Sequence, residues 1–297
     1  MVTDMEINEE SGEMEVHKEG MACFQNNIQG INVTVNVGQL TQGFLLKNRI
    51  VMVTGATQGI GCAIAEKCIC QGAKVIITGR NKNRLAEIAN GLGENCVALD
   101  FDMREVFKFD AVLDRASKYF GPIDSLVNNA GISLHEGDFI NVTEETWDDQ
   151  FSTNLKGPYF LTQSWLRHYR ENHMKSGRII MMASDTSGMG SSIPYGLAKA
   201  GIASLTHGLA KKLITEGVRI NAVAPGTTLT PMTEDFTHGE VCRESTIGKR
   251  ALFPEEIAEL VVFLLSDLST CISGNIFGCS EANICFNNVA REQETNP

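Results

Sequence analysis

With 297 residues, 43% of them hydrophobic and 21% charged, the chain has ample material for one large domain and has the composition of neither a disordered nor a fibrous polymer. A formal net charge of −11 disfavours nonspecific attraction to nucleic acid or to an anionic membrane. The apolar runs fall short of the ~20 residues that cross a bilayer, and the acidic opening is not a secretory signal, so the sequence points to the cytoplasm.

Residues 1–44 stand apart, with seven acids against the single base Lys18. Such a charged, aromatic-poor opening predicts a partly flexible extension, although the alternation over 31–37 suggests a short added strand. From residue 45 to 297 the pattern changes to short β-branched runs separated by helix-length segments. Strands are predicted at 50–54, 74–78, 96–100, 124–128, 178–183, 218–223 and 275–278. Helices are predicted near 60–71, 82–90, 104–119, 143–172, 194–214 and 254–266, the last two opened by Pro194 and Pro254. This alternation predicts an α/β fold, a Rossmann-type doubly wound parallel sheet of about seven strands in a single domain.

The first strand runs into Thr54-Gly55-Ala56-Thr57-Gln58-Gly59-Ile60-Gly61, a turn whose glycines let backbone amides and a helix N-terminus approach a pyrophosphate. At the end of the second strand, an acid would accept hydrogen bonds from ribose hydroxyls and repel a 2′-phosphate, whereas an arginine would clamp it. The chain has Gly79 and then Arg80 there, which favours NADP(H), with NAD(H) as the alternative.

Tyr195-Gly-Leu-Ala-Lys199 sets a phenol and an ammonium on one helix face. A neighbouring positive charge lowers a phenol's pKa and eases proton exchange near neutral pH. Ser184, eleven residues before the tyrosine and just past an apolar strand, falls at the carboxyl edge where open α/β sheets bind ligands.

These motifs, in this order, resemble the short-chain dehydrogenase/reductase family, the likeness covering roughly residues 46–278. The resemblance implies that Asp102 and Met103 hold the adenine edge, and that Asn128, Ala130 and Gly131 of the N-N-A-G run line the cofactor path. It implies that Asn154 holds a relay water, that Ser184 and Tyr195 bind the substrate carbonyl, and that Lys199 binds the nicotinamide ribose. Pro225, Gly226, Thr228 and Thr230 would fix the carboxamide and turn the chain toward a substrate lid at 229–249. The implied reaction interconverts a ketone and a secondary alcohol, with a pattern similar to 3-oxoacyl-thioester reductases and an NAD-linked polyol, sugar or hydroxysteroid dehydrogenase as the alternative. A non-catalytic nucleotide sensor or scaffold is the rival of another class. The family also implies a homodimer or homotetramer built on helices 143–172 and 194–214.

Departures from the family pattern are a loop about two residues short between Ser184 and Tyr195 and the absence of a closing glycine pair after residue 278. The nine cysteines include no C-x-x-C pair and the six histidines show no ligand spacing, so reduced thiols and no metal are expected. Trp147 and Trp165 are expected to pack or to lie at an interface.

Overall fold

Seven parallel strands carry the chain's apolar runs, lying side by side in the order Ile276–Cys279, Val218–Pro225, Gly177–Met182, Ser125–Asn128, Ile50–Thr54, Lys74–Gly79 and Cys96–Asp100. The computed structural model describes the backbone of residues 4–8, 13–16, 21–28 and 31–38, and residues 40–188 and 190–282 with their side chains. In chain order the strands are β1 (Asp4–Asn8), β2 (Glu13–Val16), β3 (Met21–Ile28), β4 (Ile31–Gly38), β5 (Ile50–Thr54), β6 (Lys74–Gly79), β7 (Cys96–Asp100), β8 (Ser125–Asn128), β9 (Gly177–Met182), β10 (Val218–Pro225) and β11 (Ile276–Cys279). The helices are α1 (Gly59–Cys70), α2 (Lys82–Leu92), α3 (Phe109–Phe120), α4 (Glu144–Phe151), α5 (Gly157–Glu171), α6 (Pro194–Leu213), α7 (Glu234–Thr237) and α8 (Pro254–Leu265).

The strands read as unbroken apolar runs because both faces of the sheet are covered. Alternate residues go to opposite cores. Val51, Val53, Val75, Ile77, Val127, Ile180 and Val223 pack on one face with α1, α2 and α8. Met52, Ile76, Leu126, Ile179, Met181, Ile220 and Ala222 pack on the other, under α3, α5 and α6, where Trp165 is fully buried and donates to the Ile123 carbonyl at 2.9 Å. Connections run toward one edge from β5 and toward the other from β8, so β5 and β8 flank the switch point where such folds open a crevice.

Two differences from the sequence reading have local causes. The helix expected at 104–119 begins at Phe109, after a short turn over Val106–Lys108. Asp102 accepts from the Arg104 amide at 2.9 Å and holds the chain in a tight turn. The helix expected at 143–172 is three pieces, α4, a π-helical turn over Ser152–Lys156 and α5. Pro158 has no N–H to give the carbonyl of Asn154 four residues earlier, so the α-helical ladder cannot pass through.

The acidic opening contains more strand than its charge suggests. β1 pairs antiparallel with β2 and β3 with β4, the latter containing the alternating run at 31–37. Met5-Glu6-Ile7 and Met14-Glu15-Val16 also alternate, a signal that the weight given to charge passes over. Among the described residues, no helix is long and apolar enough to cross a membrane.

Candidate active site

The turns after β5 and β8 are laced together at the switch point. Thr54 Oγ1 donates to the Val127 carbonyl at 3.2 Å and accepts from the amides of Asn129 and Ala130, each at 3.0 Å. Asn129 Nδ2 donates to the carbonyls of Thr54 and Gly55 at 2.9 and 3.1 Å. Gly55 is needed in this knot: its φ is +66°, and a Cβ there would sit 2.7 Å from Ala130 Cα. Gly55→Ala should therefore lower the unfolding free energy by about 1–3 kcal/mol and weaken nucleotide binding together. Thermal melts and a nucleotide titration check this, and an unchanged melting temperature would show the turn to be pliable.

A cleft of about 640 Å³ opens above these turns. Its walls include Gly55, Thr57, Gln58, Gly59, Ile60, Gly61, Arg80, Asp102, Met103, Ala130, Gly131, Ser184, Tyr195, Lys199, Pro225, Gly226, Thr228 and Thr230, which brings nearly every residue singled out in the sequence to one place. Two are not on the wall. Asn128 is buried and donates to Thr162 Oγ1 at 3.0 Å, while its neighbour Asn129 faces the cleft. Asn154 is also buried, its carboxamide oxygen accepting from the Ile132 amide and its nitrogen donating to the Ile132 carbonyl, both at 2.8 Å. Its side chain thus ties the loop after β8 to the π-turn, with both polar ends of the carboxamide bonded to Ile132.

The floor of the cleft suits a dinucleotide. α1 has no acid in its first turn and Gln58 makes no capping bond, so the helix's leading amides remain for an anionic ligand. Arg80 is exposed on the cleft wall at the end of β6. Asp102 is engaged: burial acts against its charge, but the bonds from Arg104 and the field of Arg80 hold its pKa below the usual carboxylate range. Thr230 lies over Gly59, and Met232, Thr233 and Phe236 extend the wall, so the start of the expected lid does face the cleft. His135 joins the loop after β8 to that segment, its Nε2 3.1 Å from the Met232 carbonyl and its ring edge-on to Phe236.

At the other end α6 presents Tyr195 and Lys199. Lys199 is buried, 5% exposed, and donates to the Met182 carbonyl at 2.8 Å. Burial pushes its pKa down to about 8. The ammonium lies 5.7 Å from the Tyr195 ring centroid, turned toward Met182. Burial pushes the phenol up to about 12, a hydrogen bond with Ser184 opposing and the Asp185 charge reinforcing the rise. In this geometry burial outweighs the expected lowering by the ammonium. A phenol so placed keeps its proton at neutral pH and can give it away, which suits carbonyl reduction.

Sequence reasoning missed Asp185. Ser184 Oγ donates to Asp185 Oδ1 at 3.1 Å and accepts from the amide and hydroxyl of Thr186 at 3.2 and 3.0 Å. The Ser-Asp-Thr run directly after an apolar strand is the signal that could have shown it.

The Enoyl-(acyl carrier protein) reductase family model matches residues 55–280. The chain is 34% identical over 233 residues to the 3-oxoacyl-(acyl-carrier-protein) reductase FabG of Escherichia coli, covering 77% of this chain and 94% of that protein. It is 36% identical over 235 residues to the FabG of Vibrio harveyi, covering 77% and 94%. Among solved structures, a 3-ketoacyl-(acyl-carrier-protein) reductase from Brucella melitensis complexed with NADH superposes with a TM-score of 0.76 at 29% identity, over 81% of this chain and 100% of that one. A short-chain dehydrogenase/reductase titled glucose/ribitol dehydrogenase, also from Brucella melitensis, gives 0.75 at 29% over 82% and 99%.

Proposed function

The chain belongs to the short-chain dehydrogenase/reductase family, an oxidoreductase acting on CH–OH or C=O groups with a nicotinamide cofactor, and from that premise we propose that it uses NADP(H) to interconvert a ketone and a secondary alcohol. The observation that carries this reading is the convergence of Ser184, Tyr195 and Lys199 on one cleft whose floor is the glycine turn. A non-catalytic sensor has no use for that trio.

When bound, the nicotinamide supplies the hydride that reduces the carbonyl carbon. Ser184 and Tyr195 hydrogen-bond the carbonyl oxygen, Tyr195 gives it a proton as the alcohol forms, and Lys199 binds the ribose. Gly55 and Gly59 to Gly61 hold the pyrophosphate, Asp102 and Met103 flank the adenine, and Ala130, Gly131, Pro225, Gly226, Thr228 and Thr230 enclose the nicotinamide end. A relay through Asn154 uses its main-chain carbonyl, which Pro158 cannot bond, rather than its carboxamide.

Two observations favour NADP(H) over NAD(H). Arg80 can clamp a 2′-phosphate, and a Cβ at Gly79, where an acid would select NAD(H), would meet Thr57 Cγ2 at 2.8 Å. Arg80→Ala should weaken NADPH about tenfold or more, the worth of a charge-assisted hydrogen bond, and leave NADH almost unchanged. Fluorescence titration of both cofactors tests this, and tighter binding of NADH by the unaltered protein refutes it.

The names of the relatives make 3-oxoacyl thioesters the first substrates to try, in an NADPH-oxidation screen over a panel of ketones. The reading places residues 45–297, the catalytic domain, in the cytoplasm as a homodimer or homotetramer, with residues 1–44 as an appended extension. A groove lined by Phe151 at the end of α4, Leu155 in the π-turn, Tyr159 and Phe160 on α5 and Leu205 on α6 supports assembly there, with the exposed Trp147 stacked on Phe151 beside it.

A further inference from the structure

Ser184 has one proton and two lone pairs to offer, and Asp185, Thr186 and Tyr195 all draw on them. Its proton goes to Asp185 Oδ1, and its lone pairs take the amide and the hydroxyl of Thr186. A ketone that only accepts hydrogen bonds must compete with a carboxylate for that single proton. The carboxylate is also the stronger acceptor, because it is charged. A substrate that brings a donor of its own changes the exchange. Its hydroxyl can bond Asp185, which releases the serine proton to the carbonyl, and no polar group is left without a partner.

The geometry allows this substitution. Asp185 Oδ1 is 3.1 Å from Ser184 Oγ, a separation comparable to that between the neighbouring oxygens of an α-hydroxy ketone. Asp185 lines the same cleft as Ser184 and Tyr195, and its Oδ2 reaches toward Gly226, coming within 3.5 Å of where a Cβ on that glycine would lie. Its carboxylate therefore lies between Ser184 and the segment after β10. A 3-oxoacyl thioester presents a second carbonyl near its ketone, an acceptor facing an acceptor.

We propose that Asp185 is a specificity-determining residue that selects ketones with a hydroxyl on the carbon next to the carbonyl over ketones flanked only by apolar or acceptor groups. This rests on the proposed ketone–alcohol chemistry and names its substrate class.

The test uses the full chain with saturating NADPH or NADH and a matched pair of substrates, hydroxyacetone and acetone, with a 3-oxoacyl thioester as a third. Because hydroxyacetone is intrinsically the more reactive ketone, the deciding quantity is the change in the hydroxyacetone-to-acetone ratio of kcat/KM on mutation. Asp185→Ala should lower that ratio about tenfold to a hundredfold, hydroxyacetone losing more than acetone or the thioester whatever the change common to all three. Asp185→Asn, which keeps an acceptor oxygen without the charge, should fall between. Damage to the fold alone would lower all three substrates together and leave the ratio where it was. Turnover with an unchanged ratio in Asp185→Ala overturns this inference and spares the proposed function. No turnover of any ketone or thioester by the unaltered protein with cofactor bound overturns both.

Discussion

Tyr195→Phe is expected to lower kcat for ketone reduction by about 10²–10⁴-fold, the span of a positioned proton donor, while NADPH binds almost as before. The change removes one oxygen from a half-buried ring whose pocket a phenylalanine also fills. What disappears is the donor that burial and the Asp185 charge keep protonated, the phenol being held at about 12. Ser184 cannot replace it, since an aliphatic hydroxyl is a far weaker acid than a phenol. Steady-state NADPH oxidation and fluorescence titration check the two halves of the expectation separately. Activity comparable to the unaltered protein would remove Tyr195 from the chemistry, and lost cofactor binding would mean that the ring, not the hydroxyl, mattered.

The sheet was legible because its signal is redundant. Each strand between Ile50 and Cys279 is a short apolar run bounded by turn residues, and burial on both faces leaves little choice of structure for such runs. Helix ends were harder to read, since they depend on single contacts. A proline in the middle of an amphipathic stretch should have counted for more: Pro158 alone shows where the helix over 143–172 must break, and it frees the register in which Asn154 turns its side chain to Ile132.

The same contrast holds at the cleft. Residues whose role is backbone geometry, such as Gly55 and Gly59, or charge at a strand end, such as Arg80, could be located from local pattern, because local pattern determines where they lie. Which of Asn128 and Asn129 faces the cleft is a question of strand parity at the last residue of β8, and a one-residue ambiguity there exchanges wall for core. Asp185 escaped notice for a different reason. Its effect depends on how the Ser184 hydroxyl divides its hydrogen bonds, and no spacing rule encodes that.

Lys199→Met should remove activity and raise stability in the same protein. The ammonium is 5% exposed, and burial pushes its pKa from the usual lysine range down to about 8. Since the folded-state value lies below the unfolded one, the folded protein holds fewer protons across that interval, and stability from this group rises with pH between about 8 and the unfolded value near 10.4. Below pH 8 the whole cost of the buried charge is present, on the order of 3 kcal/mol. Methionine removes that cost but leaves the Met182 carbonyl without the bond it receives at 2.8 Å, which returns about 1 kcal/mol. The variant should therefore melt several degrees higher at pH 7, and its advantage should shrink as the pH is raised toward 10. Other groups titrating in that range do so in both proteins and cancel in the comparison. Ketone reduction by the unaltered protein should decline above pH 8 as the ammonium is lost, and the variant should be slower by about 10²-fold or more, as for removal of one preorganised charge contact. A variant that is less stable at pH 7 would mean that the Met182 bond outweighs desolvation. An ammonium that costs the fold stability, in a cleft where a hydrophobic side chain would fit, is retained for what it does to a ligand, and the opposed signs of the two measurements are what distinguish that reading from a packing role.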